Sequence, residues 1–227
     1  MEAYQQIIEI IALSMGLAWA SGINLYLALL VLGFLSNTGN IVLPSELQIV
    51  ADPLVMVAAG FMYFVEFFAD KMPGVDTGWD ALHTFIRPFA GAILAAGAVG
   101  EVGMAAQVAA AIVGGGIAAG AHAVKAGSRV IINTSPEPVS NWGASIGEDL
   151  LVLGGLWSAL HHPALFLVLL AAFIVLMIWL LPRLWRLIKL IFVRVRRYFS
   201  GGSRQDLYGN ADEPLFLIKP APKDPER

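Results

Sequence analysis

The chain predicts an all-α polytopic membrane protein with about six transmembrane helices, and three observations carry that prediction. Of its 227 residues, 58% are hydrophobic and only 14% charged, and the mean hydropathy is +0.73, values far from those of soluble domains. The apolar residues gather into six runs, most of them near the ~20 residues a helix needs to cross hydrocarbon. The third observation is where the 14 Lys and Arg residues lie.

The runs are Ile7 to Phe34, Val50 to Phe68, Pro88 to Val99, Met104 to Val124, Ile146 to Leu160 and Pro163 to Leu181. The first, third and fifth loops between them carry no Lys or Arg. The second holds Lys71 and Arg87, the fourth holds Lys125 and Arg129, and the remaining ten follow from Arg183 onward. Lys and Arg resist translocation, so an even number of crossings with this pattern places both termini in the cytoplasm. The amino end, MEAYQQIIEI, has neither the basic region nor the small-residue cleavage site of a secretory signal, and the first run is expected to be retained.

The first run is long for a crossing and is interrupted by Ser21, Gly22 and Asn24. Two readings fit: one long tilted helix with a small hydrogen-bonding face, or a broken helix whose freed backbone groups meet protein or a water-filled cavity. From Ala90 to Gly120 the chain is built largely of Ala and Gly. Such helices approach closely and belong at a bundle centre. A pair of parallel helix-loop-helix repeats is suggested by Ala58-Ala59-Gly60 and Ala118-Ala119-Gly120, each followed by a Pro and then a Trp, Pro73/Trp79 and Pro136/Trp142. The domain boundaries follow: a transmembrane domain over residues 1–182, a basic amphipathic interfacial helix over 183–199 drawn to anionic inner-leaflet lipids, and a disordered cytoplasmic tail over 200–227. A homodimer is expected from size alone, and nothing in the charge pattern points to nucleic acid.

The polar residues concentrate in the two long loops. A helix beginning near Thr77 or Trp79 puts Asp80, His83 and Arg87 on one face, with Asp76 just before it. Asp76, Asp80 and His83 can bind a cation, His83 and Arg87 a phosphate, or the set can be an N-capped helix with ordinary salt bridges; the spacing is no specific metal motif. In the other loop, Pro136 and Pro138 argue against a helix and for a rigid, cavity-lining insert. Acids at membrane depth should face protein and pair with bases. Glu66, Arg87, His122, Lys125, Arg129, Glu148 and Asp149 are therefore the candidate substrate-binding residues.

The absence of cysteine excludes disulfides, a CxxC redox pair and thiolate metal sites. No P-loop, GxSxG or HExxH occurs, so an enzyme is the less favoured class and no cofactor is assigned. Two segments, ADKMPGVDTGWDALHTFIRPFAGA (Ala69 to Ala92) and GAHAVKAGSRVIINTSPEPVSNWGASIGED (Gly120 to Asp149), together resemble a bacterial membrane family known as domain of unknown function 4126, over roughly Ile10 to Leu181. The resemblance implies a bacterial inner-membrane location and brings no substrate and no site residue. The leading expectation is a transporter or channel-like carrier of an anionic or phosphate-bearing solute or lipid headgroup, with its polar site at the cytoplasmic end of the bundle. Two alternatives are a membrane-embedded lipid-phosphate enzyme using Asp76, Asp80 and His83 with a divalent ion, and a non-catalytic scaffold.

Overall fold

A computed structural model describes residues 2–72, 74–134 and 138–199. The expectations for Pro73, Pro136 and the tail 200–227 fall outside the described residues. The described residues form no strands. Their helices are α1 (Glu2–Asn37), α2 (Pro53–Ala69), α3 (Val75–Ala98), α4 (Met104–Ile132), α5 (Pro138–His161) and α6 (Pro163–Phe199), with 3-10 turns at Ser45–Ala51 and Gly100–Val102. The chain divides into a bundle, residues 1–186, and a carboxyl-terminal unit beginning at Leu187, whose described part is the end of α6.

By length and composition α1, α3, α4 and α6 can each cross a membrane, and the 3-10 turn Ser45–Ala51 with α2 forms a fifth, bent by 64°. The chain is a multi-pass membrane protein. Beside a buried apolar core around Leu17, Leu32 and Leu156, part of the interior is polar while the outer faces are apolar. On α3, Asp76, Asp80, His83 and Arg87 are buried while Leu82, Phe85, Phe89 and Ile93 are exposed. That pattern places lipid against the outer face, because only an apolar solvent leaves such a surface without cost.

Two expected boundaries move. α3 begins at Val75, close to the helix start expected near Thr77 or Trp79, and runs unbroken through Pro88, the expected start of the apolar crossing. The polar stripe of its first half lowers the hydropathy that marks a span, yet recurs at the spacing of one helix face. α5 likewise begins at Pro138 rather than Ile146, because a proline at the first helical position gives up an N–H that has no helical partner anyway. Ser140 and Asn141, expected in a non-helical insert, are therefore helical.

The largest departure from a straight helix concerns α1, which doubles back at Asn24. Its first arm, residues 2–23, runs antiparallel to α3: Ser14 Oγ donates to Ala95 O at 2.8 Å, and Arg87 Nη1 donates to Gly22 O at 2.9 Å. The same arm lies against α5, with Gly16 beside Ala159, Gly155 beside Trp19 and Asn24 beside Asp149. The backbone then leaves helical geometry at Asn24 (φ −145°, ψ 94°). The second arm, residues 25–37, climbs back beside α2: Leu30 lies near Gly60, Gly33 against Met56 and Val50, and Asn37 Nδ2 donates to Ala51 O at 2.8 Å. Both ends of α1 thus lie at one end of the bundle, the near end, where α3 and α5 finish. The tip lies deep inside, level with Glu66 and Arg87. A straight helix would carry Gly33 toward the far end, where α2 and α4 finish, well away from Met56.

Small residues allow this packing. A Cβ on Gly22 would lie 2.5 Å from Ala118 O and 2.7 Å from Ala121 Cβ. A Cβ on Gly114 would lie 3.2 Å from Ala18 Cβ, and one on Gly91 would strike Ala118 and Ser21. The first arm of α1 is wedged between α3 and α4 at backbone distance, the small-residue packing that membrane helices favour. α6 closes the side through Phe166 and Phe173, edge-on to Trp19.

A buried charge centre at the tip of a doubled-back helix

Each helix delivers polar groups to the tip from one face. α3 contributes Asp76, Asp80, His83 and Arg87; α4 contributes His122, Lys125 and Arg129 at i, i+3 and i+7; α5 contributes Asn141, Ser145, Glu148 and Asp149. α2 supplies Tyr63 and Glu66, and Asp70 caps its end. These are the spacings of single helix faces, so forming the helices is enough to align the groups.

Breaking α1 frees carbonyls at the end of its first arm and N–H groups at the start of its second. Both are satisfied. Arg87 Nη1 donates to Gly22 O and Ile23 O, and Lys125 Nζ donates to Ile23 O at 3.2 Å. Cations at a helix carboxyl end also oppose its dipole. Asn24 Oδ1 accepts from Leu27 N at 3.0 Å, the N-cap of the second arm, while Asn24 Nδ2 donates to Asp149 at 2.9 Å.

Behind the tip lies a network of ion pairs. Glu66 pairs with Arg87, and with Lys125 at 3.0 Å. Lys125 also reaches Asp70 at 3.1 Å and Glu148 at 3.3 Å. Arg129 pairs with Asp70 at 3.2 Å and Glu148 at 2.8 Å. Glu66, Arg87 and Arg129 are completely shielded. Three bases thus meet three acids one for one. Asp149 lies at the edge, accepting from Asn24 and from Tyr63 Oη at 2.8 Å.

The sequence-derived candidates Glu66, Arg87, Lys125, Arg129 and Glu148 therefore form one connected cluster, and Asp149 joins it through Asn24. His122 sits beside it, its Nε2 within 3.1 Å of Thr84 Oγ1 and 3.0 Å of Asp80 O. The proposed cation ligands separate. Asp76 accepts from Asn133 at 2.8 Å, while His83 has both ring nitrogens engaged, by Tyr26 Oη at 3.0 Å and Trp79 O at 2.9 Å. Among the described residues no three His, Asp or Glu side chains are placed to hold a metal ion.

Sequence reasoning missed Tyr26, Tyr63, Asn133, Asn141 and the role of Asp70. Asn141 O accepts from Arg129 and its side chain donates to Asn133. Lys71 was read as a loop charge, but it is buried in the α2–α3 turn with its ammonium 2.9 Å from the Phe67 ring centre and 4.8 Å from that of Trp142. Burial pulls its pKa below the ordinary lysine value. The available signal was spacing: Asn141, Ser145 and Glu148 recur at i, i+4 and i+7 once α5 begins at Pro138.

Fold and site together define a polytopic helical membrane protein with an ion-paired polar centre around a helix pair that enters the bundle and returns. The chain belongs to the family described as domain of unknown function (DUF4126), which matches residues 11–183. No curated protein and no solved structure matches it.

Proposed function

We propose that this protein is a membrane transporter or channel-like carrier whose gate is the doubled-back α1 and whose polar centre is the cluster around Glu66, Arg87 and Lys125. One observation carries the reading: the α1 break is buried at the ionic cluster and held by Arg87, Lys125 and Asn24. Transporters place discontinuous helices at their binding sites because irregular backbone and charge persist at membrane depth only where protein or a water-filled path satisfies them. The cations on which an anionic solute would rely are already matched by Glu66, Asp70 and Glu148. Among the described residues, Asp76, Asp80 and Asp149 have no base within 4.0 Å. That surplus favours a proton or a cationic solute over an anionic one. The lipid-phosphate enzyme reading gains no support, because Asp76, Asp80 and His83 do not converge.

The same reading counts five crossings, α2 to α6, with α5 taken as one although its composition alone does not mark it as a span, and one re-entrant pair. The far end, near Lys71, Lys125 and Arg129, is the cytoplasmic one by the positive-inside rule, and the amino terminus lies on the opposite side. On this reading an odd count replaces the even one that put both termini inside, because α1 returns. The hairpins α2–α3 and α4–α5 both run from the near end to the far end and back, the direction a parallel duplication requires. The proposed location is the bacterial inner membrane.

Two measurements test this. The sequence has no cysteine, so Glu2→Cys and Arg186→Cys each carry one label site. In intact cells a membrane-impermeant thiol reagent should modify the first and reach the second only after permeabilisation; modification of both from one side refutes the re-entrant topology. Purified protein in vesicles, given a panel of cationic, zwitterionic and anionic solutes, should carry at least one faster than protein-free vesicles, and Glu66→Gln should lose that flux. No flux of protons or of any solute in the panel overturns the transport reading.

A further inference from the structure

Asp80 differs from the other acids of the centre. It is 3% exposed, yet neither carboxylate oxygen has a hydrogen-bond partner. Glu66, Asp70 and Glu148 have bases, Asp149 has Asn24 and Tyr63, and Asp76 has Asn133. A second buried group beside it is also unpartnered: His122, 2% exposed, has no partner at Nδ1 while its Nε2 engages the Asp80 carbonyl. A lone ionised carboxylate is strongly disfavoured in a dry interior, so such a group either holds a proton or draws a cation to itself.

The stronger of the two cations acting on it is Lys125. Lys125 and Arg87 attract negative charge at Asp80, whereas Asp76 and Asp70 oppose it. On α3, His83 lies one turn further along; on α4, His122 and Arg129 flank Lys125; from α5, Glu148 faces Lys125; from α1, Tyr26 meets His83. Lys125 is also the residue that ties the acids to the α1 tip, through Ile23 O.

We propose that Asp80 is the proton-binding group of this centre and that its charge sets whether Lys125 joins Arg87 in holding the tip of α1. The proposal deepens the transport reading, and rests on it, by naming the proton as the coupling ion. With a proton on Asp80, Lys125 is left to Glu66, Asp70, Glu148 and the Ile23 carbonyl, and the tip is clamped. When the proton leaves to water at the far end, the carboxylate competes for the Lys125 ammonium. The contact to Ile23, the only uncharged acceptor among its partners, is the one released. The proton is the sole species bound and lost, and no other bond changes.

Difference infrared spectroscopy between acidic and alkaline buffer, on the full-length protein in lipid vesicles, reads the site directly. The wild type should show a protonated-carboxyl band that disappears on alkalinisation. Asp80→Asn should lack it, Asp80→Glu should shift it, and Asp76→Asn should keep it. A band unchanged in both Asp80 variants overturns the assignment, and the Glu variant preserves the test where the Asn variant fails to fold.

The coupling is read with Leu25→Cys at the tip, its alkylation by a water-soluble reagent divided by that of Thr38→Cys in the exposed turn to remove the thiol's own ionisation. Opening linked to one proton should change this ratio by up to about tenfold per pH unit, and Asp80→Asn should make it flat. A flat ratio in the wild type overturns the coupling. Absence of solute flux with the band assigned to Asp80 defeats the transport reading alone. Flux with the band unmoved in the Asp80 variants defeats this proposal alone.

Discussion

Arg87→Ala is the sharpest perturbation of the centre. The guanidinium pairs with Glu66 through Nη2 and holds Gly22 O and Ile23 O through Nη1. Its loss leaves a shielded carboxylate with Lys125 as its remaining cation at 3.0 Å, and removes a donor from two carbonyls of the broken helix. Breaking a buried pair by deleting one partner costs about 3–5 kcal/mol. For a chain of this size each kcal/mol moves the unfolding midpoint by about 2–4 °C, so the variant should melt about 6–20 °C lower. Removing Glu66 as well takes away the stranded charge but not the unsatisfied carbonyls, which retain about 1–3 kcal/mol of penalty. Arg87→Ala/Glu66→Ala should therefore be more stable than Arg87→Ala alone, yet remain below the wild type. Thermal unfolding in one detergent and buffer, arranged as a double-mutant cycle, reads both steps. A double variant no more stable than the single one would refute the ion-pair account.

Three further outcomes follow from the packing. Gly22→Ala should destabilise by about 1–3 kcal/mol, the range for overpacking, because its Cβ would lie 2.5 Å from the Ala118 backbone oxygen, whereas Gly116→Ala, with nothing within 4 Å of its Cβ, should be neutral or gain up to about 1 kcal/mol of helix propensity; the two melting curves compare them. Asn24→Ala should cost about 0.5–2 kcal/mol as a lost N-cap and speed amide exchange over residues 25–29, while Asn24→Asp keeps the cap acceptor but puts a carboxylate beside Asp149, so its melting temperature should fall below that of the Ala variant. Lys71→Met retains an apolar stem between Phe67 and Trp142 but loses a cation–π contact of about 0.5–2 kcal/mol; if its melting point equals the wild type's, the ammonium adds nothing to packing.

Much of the centre was legible as spacing. Asp80, His83 and Arg87 read as one face from their intervals alone, and that face is buried. His122, Lys125 and Arg129 obey the same interval on α4. The expectation that acids at membrane depth meet bases follows from the cost of isolated charge, and Glu66, Glu148 and Arg129 meet it. Hydropathy misplaced the ends of α3 and α5, since inward polar stripes dilute the apolar average over the very turns they occupy. Lys71 reads as a loop charge because nothing local marks a turn as buried; that depends on what α4 and α5 bring over it.

The residues by themselves determined the solvent, the all-helical class and the polar faces, because each follows from composition or from the 3.6-residue repeat of a single helix. Ser21, Gly22 and Asn24 also marked where the first helix is weak. Only the tertiary structure decided that the weakness becomes a reversal. A doubled-back α1 gives up the backbone hydrogen bonds that a straight one keeps across Asn24, and what decides between them is whether partners distant in sequence, Arg87 and Lys125 at the freed carbonyls and Asp149 at Asn24, are in place to receive the break. The number of crossings, and with it the side on which the amino terminus lies, rests on those long-range contacts, which no local pattern encodes.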